Sequence, residues 1–198
     1  MARNGGILNR VKNQIPLESM KILYNSLIFP HYSYCLEAWG ACLPKYLKRI
    51  KVIQKKAVRT ICKSHWLSHT EPRMKKLNIL KFDDQHKFQC LTQVFKMLQG
   101  QSPDVYQLMQ NQNESASSSL RSNTNQPKNL KLRPYHANQS NRTFLSLAPV
   151  QWNKLPNELK CATSQSIFKT RLKSDMLIHY KDRTACSNPS CLDRRFHV

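Results

Sequence analysis

The sequence predicts a mainly α-helical protein, with a helical bundle followed by a polar linker and a smaller C-terminal helical unit. Apolar residues recur at intervals of three and four along most of the first hundred positions, which is the period of an amphipathic helix. Only 4 of the 198 residues are glycine, so the tight turns of an all-β fold are disfavoured. Residues 110–131 are dominated by Asn, Gln and Ser and are typical of a flexible linker.

The predicted domain organisation therefore has four segments. A basic helical domain covers residues 1–109, with a bundle built on residues 7–100, and the linker covers 110–131. A small helical unit follows over 132–180. The tail, 181–198, is polar, contains cysteines and is expected to be mobile.

The first helical stretch is predicted over residues 17–39. Pro30 interrupts it because proline lacks a backbone N–H, so we expect either a kink or two helices that meet there. Gly40 is expected to end the stretch. The predicted buried face consists of Met20, Leu23, Leu27, Tyr34, Cys35, Ala38 and Trp39.

The clearest element is a helix over about residues 45–63, directly after Pro44, since the first turn of a helix tolerates proline. Its apolar residues fall on one side and its basic residues on the other, with no acidic residue among them. Like charges four residues apart, such as Lys51 and Lys55, repel each other, so phosphate contact explains this face better than solubility alone. The apolar side holds Leu47, Ile50, Ile53, Ala57, Val58 and Ile61, and the basic side holds Lys45, Lys48, Arg49, Lys55, Lys56, Arg59 and Lys63.

Three further helices are predicted. A short one lies near residues 73–77, and a longer one covers 83–99 and ends at Gly100. In the C-terminal unit, Ser164 or Ser166 caps a last helix that extends to about Tyr180. The predicted inward-facing residues are Phe88, Leu91, Val94, Phe95 and Leu98 in the long helix, and Phe168, Leu172, Met176 and Leu177 in the last one, while Trp39 and Trp152 are expected to be core anchors.

The charge indicates a polyanionic partner. Lys and Arg total 32 against 11 acidic residues, which gives a formal net charge of +21. Such an excess repels itself unless a polyanion relieves it. Nucleic acid is the expected partner, with an anionic membrane surface second and a generic basic protein as the unspecific alternative.

Seven cysteines, an odd number at mostly wide spacings, indicate a reducing compartment, with most of them acting as small core residues. The first residues lack the apolar core of a secretory signal. No stretch has the roughly 18 uninterrupted apolar residues of a membrane span. We therefore expect a protein of the nucleus or cytoplasm that does not insert into a membrane.

Several blocks of the sequence resemble segments of one protein family. Residues 23–35 (LYNSLIFPHYSYC), 39–40 (WG) and 54–59 (QKKAVR) are similar to the segment that follows the palm in reverse transcriptases of jockey-like non-long-terminal-repeat retrotransposons, where it corresponds to the thumb and the region beyond it. The next block of that family resembles 69–72 (HTEP) with 75–80 (KKLNIL). Its closing block resembles 142–144 (RTF), 148–156 (APVQWNKLP) and 166–169 (SIFK). The matches follow the family's order from about residue 8 to 180.

The resemblance implies a part of the polymerase that grips the template–primer duplex and the element's RNA, without the catalytic palm. Polymerisation requires two metal ions held by clustered carboxylates. The family's earlier palm motif and its aromatic-Ala-Asp-Asp hairpin are absent. Phe82, Asp83 and Asp84 imitate the hairpin, but the alanine is missing and the residues begin a helix. We expect no enzymatic activity and no cofactor.

Two metal-ligand patterns are weak. Cys186, Cys191 and His197 supply three possible zinc ligands, and a structural zinc site requires a fourth, such as Cys161 or His179. A flexible tail is the preferred interpretation. His65 and His69 lie four apart beside Trp66, but no acidic partner is near, so a structural connector or a ring that stacks on nucleic acid is favoured.

The function predicted from the sequence is non-catalytic binding of RNA or of an RNA/DNA template–primer backbone. The binding residues are expected to be Lys45, Lys48, Arg49, Lys55, Lys56, Arg59 and Lys63, with Lys75 and Lys76 extending the surface. Two alternatives stay open. The basic helix docks on an acidic protein or on the missing palm domain, or the chain is a non-functional transposon relic.

Overall fold

A computed structural model describes residues 2–101, 129–130, 132 and 142–180. The predicted linker falls largely outside these residues, and the predicted tail falls entirely outside them. The described residues form two compact units. The first unit contains those of 1–36, 42–85 and 175–198, and the second contains those of 37–41 and 86–174.

The fold is mainly α-helical, as the sequence predicts. Ten helices occur in the described residues: α1 (Ala2–Val11), α2 (Leu17–Leu27), α3 (Phe29–Ser33), α4 (Leu36–Trp39), α5 (Pro44–Ile61), α6 (Glu71–Leu77), α7 (Phe82–Leu98), α8 (Phe144–Asn153), α9 (Asn157–Lys160) and α10 (Gln165–Ile178). None of these helices combines the length and the apolar character that a membrane span requires.

The predicted helical stretch 17–39 consists of three short helices. The first break lies at Ile28, whose N–H still bonds the Tyr24 carbonyl, and Pro30 occupies the first turn of α3, where its missing N–H costs nothing. The second break lies at Cys35, whose φ is +47°. This break makes part of the predicted buried face wrong, because Tyr34, Cys35 and Ala38 are exposed.

Every fourth residue of this stretch is buried instead. Met20, Tyr24, Ile28, Tyr32 and Leu36 are all at most 1% exposed. The chain changes direction at both breaks. The buried residues therefore keep a spacing of four from α2 through α3 to the start of α4. In the first unit, α2 and α1 pack against each other and against α5, and Leu8 of α1 is fully buried.

A single polar side chain organises the core of the first unit. The Gln54 Nε2 donates to the Tyr32 hydroxyl at 3.1 Å and to the Leu80 carbonyl at 2.9 Å. Its Oε1 accepts from the Phe82 N–H at 3.0 Å. The Tyr24 and Tyr32 hydroxyls lie 2.7 Å apart. The Gln54 Nε2 also donates to the Tyr24 hydroxyl at 3.3 Å. Gln54 thus joins α5 to α2, to α3 and to the start of α7, and each of these buried polar groups has a partner.

Three helices end with a residue in the left-handed conformation. Lys63 after α5, Asn78 after α6 and Gly100 after α7 have φ of 50°, 57° and 71°. In each case the next N–H bonds back over a full turn, as from Ser64 to the Arg59 carbonyl at 3.0 Å. The predicted end at Gly100 is confirmed. Lys63 adopts the same conformation although its Cβ is unfavourable there.

Aromatic packing holds the second unit together. The Phe95 and Phe168 rings stack at 4.4 Å, and Trp152 lies 6.0 Å from Phe168. Trp152 is 2% exposed, so the prediction of a core anchor is confirmed for it, whereas Trp39 is only partly buried. The Asn153 side chain bonds both backbone groups of Leu130 at 2.8 Å.

Candidate nucleic-acid interface

The basic side of α5 has the surface position that the sequence predicts. Its core-facing residues include Leu47, Ala57 and Val58, each at most 5% exposed. The helix contains no acidic residue. Seven cations on its outer side and C-terminal turn form what we call the basic strip: Lys45, Lys48, Arg49, Lys55, Lys56, Arg59 and Lys63, of which all but Arg59 are exposed.

Arg59 is the exception in the basic strip. It is half-buried, and its Nε donates to the Ser68 carbonyl at 2.9 Å, which supports the turn after α5. Burial, together with the nearby Arg73 guanidinium, lowers the pKa of Arg59 below its ordinary value. This side chain therefore has a structural role, and its replacement tests folding as well as binding.

The two lysines predicted to extend the surface lie on α6. Lys76 is exposed and Lys75 is half-buried. The side chain of Arg73, within α6, donates to the His69 carbonyl. Because α6 is only seven residues long and packs against α5, its lysines continue the cationic surface of the first unit over a short distance.

One side of the basic strip borders a groove of about 890 Å³, which we call the α1/α5 groove. Among the described residues no carboxylate lines it, and four cationic side chains do. Two asparagines and two hydroxyl residues supply neutral hydrogen-bonding groups. The lining comprises Gly5, Gly6, Asn9, Lys12 and Asn13 of the α1 region, Ile53, Lys56, Ala57, Arg59 and Thr60 of α5, and Lys63, Ser64 and Trp66 after it.

An aromatic ring lies at the mouth of the α1/α5 groove. Trp66 is 71% exposed, and its ring lies 5.8 Å from that of His65 at an interplanar angle of 39°. The Leu67 N–H donates to His65 Nδ1 at 3.3 Å, which orients the imidazole within the turn. His65 and His69 lie outside any helix, so the four-residue spacing does not place them on one helical face.

The other side of the basic strip borders a smaller groove of about 360 Å³, which we call the α5/α6 groove. Two of its lysines are paired with carboxylates. The Lys51 Nζ lies 2.7 Å from Asp83 Oδ1, and the Lys81 Nζ lies 3.0 Å from Glu71 Oε1. The remaining lining is Gln54, Lys55, Arg59, Leu67, Ser68, His69, Thr70, Met74 and Phe82.

Asp83 and Asp84, which imitate a polymerase motif, interact with different partners. Asp83 pairs with Lys51, whereas the Asp84 Oδ2 accepts from the Tyr180 hydroxyl at 2.7 Å. That hydroxyl in turn accepts from the Lys81 N–H at 2.6 Å. In the described part of the chain, no group of three or more His, Cys, Asp or Glu residues could hold a metal ion.

The cysteines are more exposed than the sequence predicts. Of the five within the described residues, Cys90 is buried and burial raises the pKa of its thiol to about 12. Cys35, Cys42 and Cys161 are exposed, so the prediction of core residues is wrong for these three. The zinc candidates Cys186, Cys191 and His197 lie outside the described residues.

The sequence interpretation missed the contribution of α1. Gly5 and Gly6 are poor helix formers and obscure this element. The signal that could have revealed it is the pair of apolar residues Leu8 and Val11, which have helical spacing. Without α1, neither the groove nor Lys12 could be placed beside the basic strip. No protein-family model, curated protein or solved structure matches the chain.

Proposed function

We propose that this chain is the thumb and post-thumb part of a jockey-like retrotransposon reverse transcriptase and that it binds nucleic acid without catalysing polymerisation. The resemblance of the ordered blocks between about residues 8 and 180 supports the family. The absence of the family's two carboxylate motifs from the sequence supports a non-catalytic role. Its partner is RNA or an RNA/DNA duplex, together with the palm domain where the chain is part of a longer polymerase.

The observation that carries the binding proposal is the basic strip. Within the described residues, the ion pairs at 2.7 and 3.0 Å involve Lys51 and Lys81, not the exposed lysines of the strip. A surface that only confers solubility usually mixes both signs of charge. Unneutralised cations on one face repel each other, and a row of phosphates relieves that repulsion.

The binding mechanism is counterion release. Each lysine that contacts a phosphate displaces a condensed cation from the nucleic acid, so affinity falls as salt concentration rises. Such contacts fix the position of the backbone and carry no sequence information themselves. We therefore expect binding with low sequence preference and a steep salt dependence.

The test is a salt titration of binding to an RNA hairpin. A variant with Lys48, Lys55 and Lys56 replaced by Gln removes three exposed cations of the strip without touching Arg59. The slope of log affinity against log salt should flatten by roughly 0.7–0.9 for each lysine–phosphate contact that the variant cannot make. A charge-matched control replaces Lys87, Lys154 and Arg171, three exposed cations of the second unit. Equal flattening in both variants would mean that net charge, rather than the strip, determines binding.

The competing role is docking on an acidic protein or on the palm domain. Heparin carries a comparable charge density but no bases. Binding that prefers the hairpin over heparin of matched charge supports nucleic acid as the partner. If heparin competes fully at matched charge and the hairpin gains no advantage, the strip is a general polyanion surface and nucleic acid is not its specific partner.

A further inference from the structure

We infer that the α1/α5 groove binds an unpaired, single-stranded segment of nucleic acid, with a base stacked on Trp66 and phosphates held by Lys12, Lys56 and Lys63. This inference rests on the proposed function and deepens it by assigning a strand type to one side of the basic strip. The volume of the groove, about 890 Å³, lies in the range of ligand pockets, roughly 300–1,000 Å³. That volume suits one or a few nucleotides.

The chemistry of the lining fits a single strand. Lys12, Lys56 and Lys63 supply point charges for phosphates, and no carboxylate of the described residues opposes them in the groove. Asn9 and Asn13 carry amide groups that both donate to and accept from the edges of unpaired bases. Proteins that bind single strands combine a cationic groove with aromatic rings on which bases stack, and this groove contains both.

Trp66 is the feature that distinguishes this groove from a general anion site. A tryptophan that is 71% exposed leaves a large apolar ring in water, and neither helix packing nor the core of the first unit uses it. Its neighbour His65 accepts a hydrogen bond from the Leu67 N–H, which stabilises the turn that carries Trp66. An unpaired base covers such a ring whatever its identity, because every base has a π-face.

Two features of the backbone that lines the α1/α5 groove support the same inference. Lys63 adopts φ of 50° in a position that glycine fills best, so the chain accepts strain and retains a cation there. Gly5 and Gly6 lie within a helix, where glycine is unfavourable, and an added Cβ would meet no atom within 4 Å. Internal packing therefore does not require these glycines. Bare backbone at these two positions leaves room for a ligand to approach closely.

The test compares a single-stranded oligouridine with a blunt-ended RNA duplex of equal charge, using the full chain. Trp66→Ala should weaken binding of the single strand roughly tenfold and change binding of the duplex less than about twofold, whereas Trp66→Phe should retain most of the affinity. Tyr34→Ala is the matched control, because it removes another ring that is 80% exposed. Circular dichroism verifies that each variant folds.

The outcomes separate this inference from the proposed function. If the wild-type chain binds neither oligonucleotide, the proposed function fails. If it binds both with a steep salt dependence, but Trp66→Ala and Tyr34→Ala lower affinity for the single strand equally or not at all, the groove inference fails and the proposed function stands. Quenching of tryptophan fluorescence by the single strand, abolished in Trp66→Phe, would support stacking at this residue.

Discussion

The two grooves that border α5 receive cations from the same helix and differ in what surrounds them. In the α5/α6 groove, Asp83 and Glu71 lie within 3.0 Å of lysine ammonium groups, and the buried Gln54 joins the wall to the core. In the α1/α5 groove, no carboxylate of the described residues lies in the lining and an exposed Trp66 stands at the mouth. The number of cations is therefore a poor guide to a binding surface. In the role that we propose, the position of a few acidic residues decides which cations can contact a phosphate.

The two grooves therefore have different roles. The α5/α6 groove belongs to the fold, because Lys51 and Lys81 in it are paired with carboxylates. The α1/α5 groove has exposed lysines and no carboxylate in its described lining, and is the one that we propose for binding. Substitutions of the paired lysines in the first should change stability more than affinity, and substitutions of the exposed lysines in the second should do the reverse.

The largest expected effect on stability is that of Gln54→Ala. The change removes a side chain that is 2% exposed and leaves the Leu80 carbonyl and the Phe82 N–H without their partner. We expect a decrease of roughly 3 kcal/mol or more in the free energy of unfolding, measured by urea denaturation. Gln14→Ala, at an exposed position before α2, is the control and should cost less than about 0.5 kcal/mol.

The second prediction concerns alkaline pH. Burial is the main cause that raises the pKa of the Tyr24 and Tyr32 hydroxyls above the ordinary value of 10.0. Above that pH the unfolded chain loses these protons while the folded chain keeps them, so stability falls as pH rises. Above pH 10, ionisation of each of these tyrosines in the unfolded chain should lower the free energy of unfolding by roughly 1.4 kcal/mol per pH unit. Melting temperatures between pH 9 and 11 test this, because Tyr32→Phe should reduce the pH dependence.

The third prediction, with a smaller effect, separates the backbone strain at Lys63 from the contribution of its charge to binding. Lys63→Gly should stabilise the fold by about 1 kcal/mol, because glycine adopts φ of 50° without steric cost. The same change should weaken binding of single-stranded RNA. Lys63→Gln, which keeps the strain and removes the charge, should weaken binding without the gain in stability. A Lys63→Gly variant with unchanged affinity would show that this cation does not contact the ligand.

The smallest expected effect is that of Lys51→Gln in the α5/α6 groove. Its ion pair with Asp83 is about one-third exposed on the lysine side, and surface pairs contribute less than about 1 kcal/mol. Affinity for nucleic acid should remain within about twofold of the wild type. A drop in affinity as large as that of Lys56→Gln would contradict the division between the two grooves.

Local patterns in the sequence predicted the helices whose apolar and polar faces extend without a break along the whole helix. For α5, the apolar and basic sides and the end near Lys63 follow from a period of 3.6 residues, and Gly100 marked the end of α7. The breaks at Ile28 and Cys35 were not predictable in detail, because a spacing of four at Met20, Tyr24 and Ile28 also fits one continuous helix.

Only part of the candidate site could be predicted from the sequence, for a related reason. The sequence shows that α5 carries lysines, but Lys51 and Asp83 are 32 positions apart and only the tertiary fold brings them together. The same holds for Gln54, which occurs among lysines in the sequence and lies in the core of the structure. Long-range partners of this kind leave no periodic signal.

The most direct test of the division between the grooves compares two charge-matched double variants. One replaces Lys56 and Lys63 of the α1/α5 groove with Gln, and the other replaces Lys51 and Lys81, which are paired with carboxylates, with Gln. Affinity for single-stranded RNA is measured across a salt series. We predict that the slope of log affinity against log salt falls by roughly 1.4 for the first variant, about 0.7 for each lysine, and hardly changes for the second. Equal changes in both variants would contradict the claim that carboxylate pairing separates the binding groove from the structural one.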